Sequence, residues 1–176
     1  LSQSQMNYAN GTAFTQNITF SKRGFGISAE MHRTDNMTFK SDRDRDGKAY
    51  IINYIPTLSK PHTYSLLALY PCATQADGEL GIQFDIFYKF KKGSRLGGKY
   101  GTKIAINYSQ INALEGGPSF LNDIRTHKPT FINFDEVLHY QDFNISVAKK
   151  INRKLNTNFI FANQTYNKDV LEGKPI

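Results

Sequence analysis

The chain has 176 residues, with 22 Lys and Arg against 15 Asp and Glu, a net charge of +7 and a sequence pI near 9.4. That length gives room for one domain with a sizeable core, while a mean hydropathy of −0.49 and the lack of any apolar run near ~20 residues exclude a transmembrane helix from this sequence. A membrane β-barrel is not excluded, because strands that alternate apolar and polar side chains average out to a polar composition.

The first residues, LSQSQMNYANG, show no basic segment followed by an apolar one, so no signal peptide is visible and an exported protein would contain this chain as a mature or internal piece. From Thr12 to Ser21, Phe14, Ile18 and Phe20 share one parity and Thr15, Asn17, Thr19 and Ser21 the other, which predicts a strand. Lys22-Arg23-Gly24 interrupts it. Phe25, Ile27, Ala29 and Met31 then resume the pattern opposite Ser28, Glu30 and His32, so the pair reads as a hairpin whose second strand runs on toward Asn36, Met37 and Phe39. Weaker strands are expected at 50–55, ended by Pro56, and at 62–70.

The clearest alternation is in Glu79 to Lys92, where Leu80, Ile82, Phe84, Ile86, Tyr88 and Phe90 oppose Glu79, Gln83, Asp85, Lys89 and Lys91, with Phe87 the one bulky exception. Such a strand, at about 3.3 Å per residue and tilted by ~45°, rises roughly 25 Å, the height of the apolar band of an outer-membrane barrel. Tyr100 to Asn112 alternates again, with Ile104 and Ile106 opposite Lys103 and Asn107. Leu114 to Val137 has no sustained period and reads as the longest loop. Leu138 to Lys150 and Leu155 to Asn167 are further strands, joined through Asn152-Arg153. Together these make about eight strands, with short turns on one rim and longer connections on the other, the asymmetry of outer-membrane barrels.

No constellation points to catalysis or a cofactor. Asp42-Arg-Asp44-Arg-Asp46-Gly47 has the carboxylate spacing of half a calcium loop, but its twelfth position is Asn53 and arginines separate the carboxylates. Gly93 to Lys99 matches a phosphate-binding loop until Tyr100 replaces the magnesium-binding hydroxyl, and a strand follows where a helix is required. The triplets at Asn17, Asn36, Asn107 and Asn144 place polar residues at i and i+2, which alternation on one wet strand face produces by itself. His32, His62, His127 and His139 lack metal-ligand spacing, the Glu30/His32 pair is explained as neighbouring lumen residues, and the single Cys72 forms no internal disulfide. Much of the positive charge sits in the expected short turns, which favours solvated turns over nucleic-acid binding.

Several blocks, SKRG (21–24), RTDNMTFKS (33–41), HTYSLLALYP (62–71), LGGKYGT (96–102) and YNKDVLEG (166–173), together resemble an uncharacterised family of Bacteroidota outer-membrane β-barrel proteins, a domain of unknown function. Its members are longer, so the resemblance implies that residues 1–176 are one internal barrel segment with additional strands outside this chain. It implies location and architecture, but neither substrate nor catalytic residues.

The resulting expectation is an all-β, antiparallel up-and-down transmembrane-type β-barrel, or a fragment of one, in the bacterial outer membrane. It would be a porin-like channel, transport or scaffold component without enzymatic activity, cofactor or metal. Leu80, Ile82, Phe84, Ile86, Tyr88, Phe90, Ile104 and Ile106 would meet membrane lipid, and Glu30, His32, Gln83, Asp85, Lys89, Lys103 and Asn107 would line the lumen. Phe20, Phe25, Tyr88, Phe90 and Tyr100 would form an interfacial girdle by the short turns. The loop 114–137 would face the exterior and meet partners, or fold inward on Phe120, Phe131 and Phe134. The alternative is a soluble barrel that encloses an apolar small molecule, with the same alternation inverted.

Overall fold

The structure, a computed structural model, describes residues 10–42, 50, 52, 58–60, 74–75, 77–114, 120–121, 124–125 and 131–172. It opens with β1 (Thr12–Lys22) and β2 (Phe25–Asp35), in which Lys22 and Phe25 are the last paired residues. Arg23 and Gly24 thus form a two-residue turn, with φ of 27° and 84°. Positive φ at both central positions matches the twist of the flanking strands, and Gly24 adopts it without a Cβ clash.

β3 (Gly78–Phe90) and β4 (Thr102–Leu114) follow, joined by a turn over 91–101 in which the Gly93 N–H donates to the Gly98 carbonyl at 2.7 Å and the Gly98 N–H to the Ser94 carbonyl at 2.8 Å. The glycine-rich stretch is therefore a turn that leads into a strand. A two-residue pair, β5 (Phe120–Leu121) and β6 (Ile124–Arg125), precedes β7 (Phe134–Lys150) and β8 (Asn156–Tyr166). The short helix α1 (Lys168–Glu172) comes last, started by Asn167, whose Oδ1 accepts from the Asp169 N–H at 3.0 Å and seeds its first turn.

Six strands form one antiparallel sheet in the order β1-β2-β3-β4-β7-β8. Because the side-chain period is two, register partners continue as rows across the whole sheet. One row runs Phe20, Ile27, Ile86, Ile106, Ile145, Phe161, and the next toward the turns runs Phe25, Tyr88, Ile104, Val147, Phe159. On the other face, Ser28, Asp85, Asn107 and Asn144 share a row, and Glu30, Gln83, Ser109, Asp142 and Gln164 the next. The turns after β1, β3 and β7 all lie at one end. The connections over 36–77 and 115–133 begin and end at the other.

Several expectations change. Among the described residues the main sheet has six strands and does not close into a barrel, so a barrel of about eight strands is not established by it. β2 pairs directly with β3 over eleven residues, so nothing is inserted between them, and the weaker strands expected at 50–55 and 62–70 fall almost wholly outside the described residues. Strand β7 begins at Phe134, inside the stretch read as loop, because register shifts between Ile111 and Leu114 break the period-2 pattern by which a strand is recognised. The chain over 36–77 is thus the longest connection. Most of the calcium-like stretch after Asp42 also lies outside the described residues.

Candidate functional site

The polar face of the sheet is buried at its centre. Asn107, Ser109 and Asp142 have no exposed surface and Asn144 has 1%. A chain of hydrogen bonds links the strands: Asn107 Nδ2 donates to Asp85 Oδ1 at 2.8 Å, Asn144 Nδ2 to Asn107 Oδ1 at 2.9 Å, and Asn144 Nδ2 also approaches Asp142 Oδ2 at 3.4 Å. Lys60, from the connection between β2 and β3, reaches over this face and donates from Nζ to Asn144 Oδ1 at 3.2 Å. Nearby, Leu58 packs with Ile111 and Tyr140, the small apolar core of the described residues, against which Tyr166 is half-buried. Gly81 makes room for it, since a Cβ there would lie 2.9 Å from Leu58 Cδ2. The centre of the polar rows is therefore covered by the chain itself.

Toward the long connections, the buried His32 Nε2 lies 2.5 Å from Glu79 Oε1, and Glu79 Oε2 accepts from the Gln75 N–H at 2.6 Å. His32 thus pairs with Glu79 and not with Glu30, which accepts a 3.4 Å bond from Asn17 Nδ2. Arg33, on the opposite parity, is buried between Thr12 Oγ1 at 2.6 Å, Asp35 Oδ2 at 3.0 Å and the Phe131 ring at 5.3 Å. Toward the short turns, Lys89 and Lys103 are register partners and line an open concavity of about 520 Å³ with Phe87, Ala105, Ser146 and Asn158. Phe87, the exception to the alternation, lies over Gly26, its partner on β2, where a Cβ would come within 2.2 Å of the ring.

The apolar face has the reverse character. Ile18, Phe20, Phe84, Ile86, Tyr88, Phe159 and Phe161 are exposed, Phe20 by 54% and Phe161 by 51%. Among the described residues, no helix is long and apolar enough to cross a membrane, which says nothing of strands, and no group of His, Cys, Asp or Glu side chains could hold a metal ion.

A model of a family of unknown function, DUF6029, matches residues 2–176. The chain belongs to that family. No curated protein and no solved structure matches it. The family description carries no organism, location or substrate, so the outer-membrane and Bacteroidota parts of the sequence reading stand apart from membership.

Of the residues expected to line a lumen, Asn107 and His32 are buried, Glu30, Gln83 and Asp85 are half-buried in the same polar rows, and Lys89 and Lys103 are exposed beside the turns. Of those expected to meet lipid, Phe84, Ile86 and Tyr88 are exposed, Ile82, Phe90, Ile104 and Ile106 are half-buried, and Leu80 is fully buried at the far end of β3. The triplets at Asn107 and Asn144 lie on one strand face as alternation requires, but that face is covered, not wet. Sequence reading did not single out Lys60, Leu58, Asp142 or the pairing of His32 with Glu79. Parity placed Glu79 with Gln83 and Asp85, but nothing local marks a lysine 84 residues before Asn144 as its partner.

Proposed function

We propose that this sheet is part of the wall of a transmembrane β-barrel in a bacterial outer membrane, serving a channel, transport or scaffold role, with further strands completing the barrel. One observation carries the reading: a row of apolar side chains crosses all six strands, with Phe20, Ile86 and Phe161 exposed, while Asn107, Ser109, Asp142 and Asn144 at the centre of the opposite, hydrogen-bonded polar face are buried. Water penalises that arrangement, since exposed apolar patches of more than a few hundred Å² are rare on soluble monomers. Lipid favours it, since outward apolar and inward polar alternation is the barrel rule. The main-sheet strands have 11 to 17 residues. About 9–11 tilted residues are enough to span the hydrocarbon.

A soluble barrel around an apolar ligand needs the apolar face turned inward, and the exposure of Phe20, Ile86 and Phe161 favours the opposite sense. The test is nitroxide scanning of the full-length protein in lipid vesicles, with Cys72→Ser and single cysteines at residues 83 to 86. Labels at Phe84 and Ile86 should be reached by oxygen and those at Gln83 and Asp85 should be protected from it. Equal access of oxygen and of a water-soluble quencher to all four positions would contradict the membrane assignment.

A further inference from the structure

The short-turn end of the sheet gathers charge of a single sign. Residues 20–25, 87–105 and 145–159 contain twelve of the 22 Lys and Arg residues and none of the 15 Asp and Glu residues, which leaves ten cations against fifteen anions in the rest of the chain. All twelve, among them Lys91, Arg95 and Lys154, are exposed. Both ion pairs among the described residues, His32 with Glu79 and Arg33 with Asp35, lie at the other end.

The three turns form one surface. The Lys89 N–H donates to the Gly24 carbonyl at 2.6 Å, tying the first turn to β3, and Lys99 and Lys150 both lie over the Tyr100 ring, at 5.9 and 5.6 Å, tying the second turn to the end of β7. Lys89 and Lys103 are direct cross-strand partners, a like-charge pair that costs stability unless something outside the chain neutralises it.

We infer that this rim is a docking surface for the anionic headgroups of phospholipids. The inference rests on the membrane reading above and adds the chemistry of the lipid at one interface. Its ground is the adjacency of two chemistries. The aromatic line Phe20, Phe25, Tyr88, Phe90, with ring centroids 6.5, 6.4 and 4.7 Å apart in succession, borders the cations directly and continues into the exposed apolar rows. A phospholipid presents a negative headgroup at one level and hydrocarbon immediately below it, which matches that order along the strands. A single strand of nucleic acid presents phosphate and can stack its bases on aromatic rings, but it leaves the aliphatic row Ile27, Ile86, Ile106 and Ile145 beyond them uncovered.

The test uses the full-length protein and vesicles of phosphatidylcholine alone or with about 30% phosphatidylglycerol, followed by insertion measured as protection from added protease at low and high salt. Anionic lipid should raise insertion by about tenfold at low salt, and ~0.5 M salt should remove the gain. Replacing Lys91, Lys92, Arg95 and Lys154 by Gln, all in exposed turns, should shrink the gain without abolishing insertion. Insertion that ignores both phosphatidylglycerol and salt overturns the headgroup inference and leaves the membrane reading intact. No insertion into either vesicle overturns both. A salt-dependent affinity for a single-stranded oligonucleotide, without preference for anionic vesicles, reassigns the rim to nucleic acid.

Discussion

Asn107 and Asn144 are register partners on β4 and β7, joined by a 2.9 Å hydrogen bond in which Asn144 donates and both residues are buried. The pair relays between Asp85 on β3 and Lys60 from the long connection, so it fastens the covering segment to the sheet. Asn144→Ala leaves the Asn107 carbonyl and the Lys60 ammonium without that partner and should cost about 1–3 kcal/mol, the desolvation penalty of buried unpaired polar groups. Asn163→Ala on the exposed part of β8 removes the same amide and should stay within about 0.5 kcal/mol. Urea unfolding of the refolded protein, followed by tyrosine fluorescence, reads both. Equal losses would show that burial of the row contributes nothing.

The Gly26–Phe87 pair makes a coupled prediction. Gly26→Ala forces the Phe87 ring aside, and because that ring is 50% exposed it can swing outward, so the loss should be about 1 kcal/mol. In a Phe87→Ala background the same change should be neutral or stabilising, since alanine in a strand loses less backbone entropy than glycine. A double-mutant cycle with a coupling of at least about 0.5 kcal/mol is expected, and strict additivity would mean the two residues do not meet.

Under the membrane reading, Phe84→Arg places a charge in the middle of the lipid-facing band and should reduce folding stability in vesicles by about 2–4 kcal/mol. Gln83→Arg, one residue away on the polar face, should cost far less. The measurement is denaturant titration of vesicle-inserted protein. Equal penalties at the two positions would count against lipid contact at Phe84.

The topology predicts an asymmetric response to protease. Long connections of a transmembrane barrel face outward and short turns face the periplasm. Trypsin added to intact cells should therefore cut within residues 115–133 and spare Arg153, although Arg153 is exposed in its turn. Cleavage at Arg153 with protection of the long connection would invert the orientation.

Six strands can be read from the residues alone to within about four positions at either end, because alternation on a pleated backbone is a local property needing no partner. β7 was shortened in that reading because the shifts opposite Ile111 and Leu114 break the parity that locates a strand start. Helix α1 was missed because five residues make too little of a 3.6-residue period to show, and its sign is the capping role of Asn167.

Local residue order is enough to give each strand two unlike faces, to turn the chain sharply at Arg23-Gly24, and to make the glycine-rich stretch after β3 a turn leading into a strand. It could not determine which face is covered, since alternation reads the same when a sheet is turned over. The packing of the folded chain settles this: it buries Asn107, Asp142 and Asn144 and leaves Phe20, Ile86 and Phe161 exposed. The same holds for the pairing of β2 with β3 across the connection 36–77, the reach of Lys60 to Asn144, and the meeting of Lys99 with Lys150 over one tyrosine ring. Each joins residues far apart in the chain, and the free energy of such contacts depends on where the backbone brings them, not on the residues beside them in sequence.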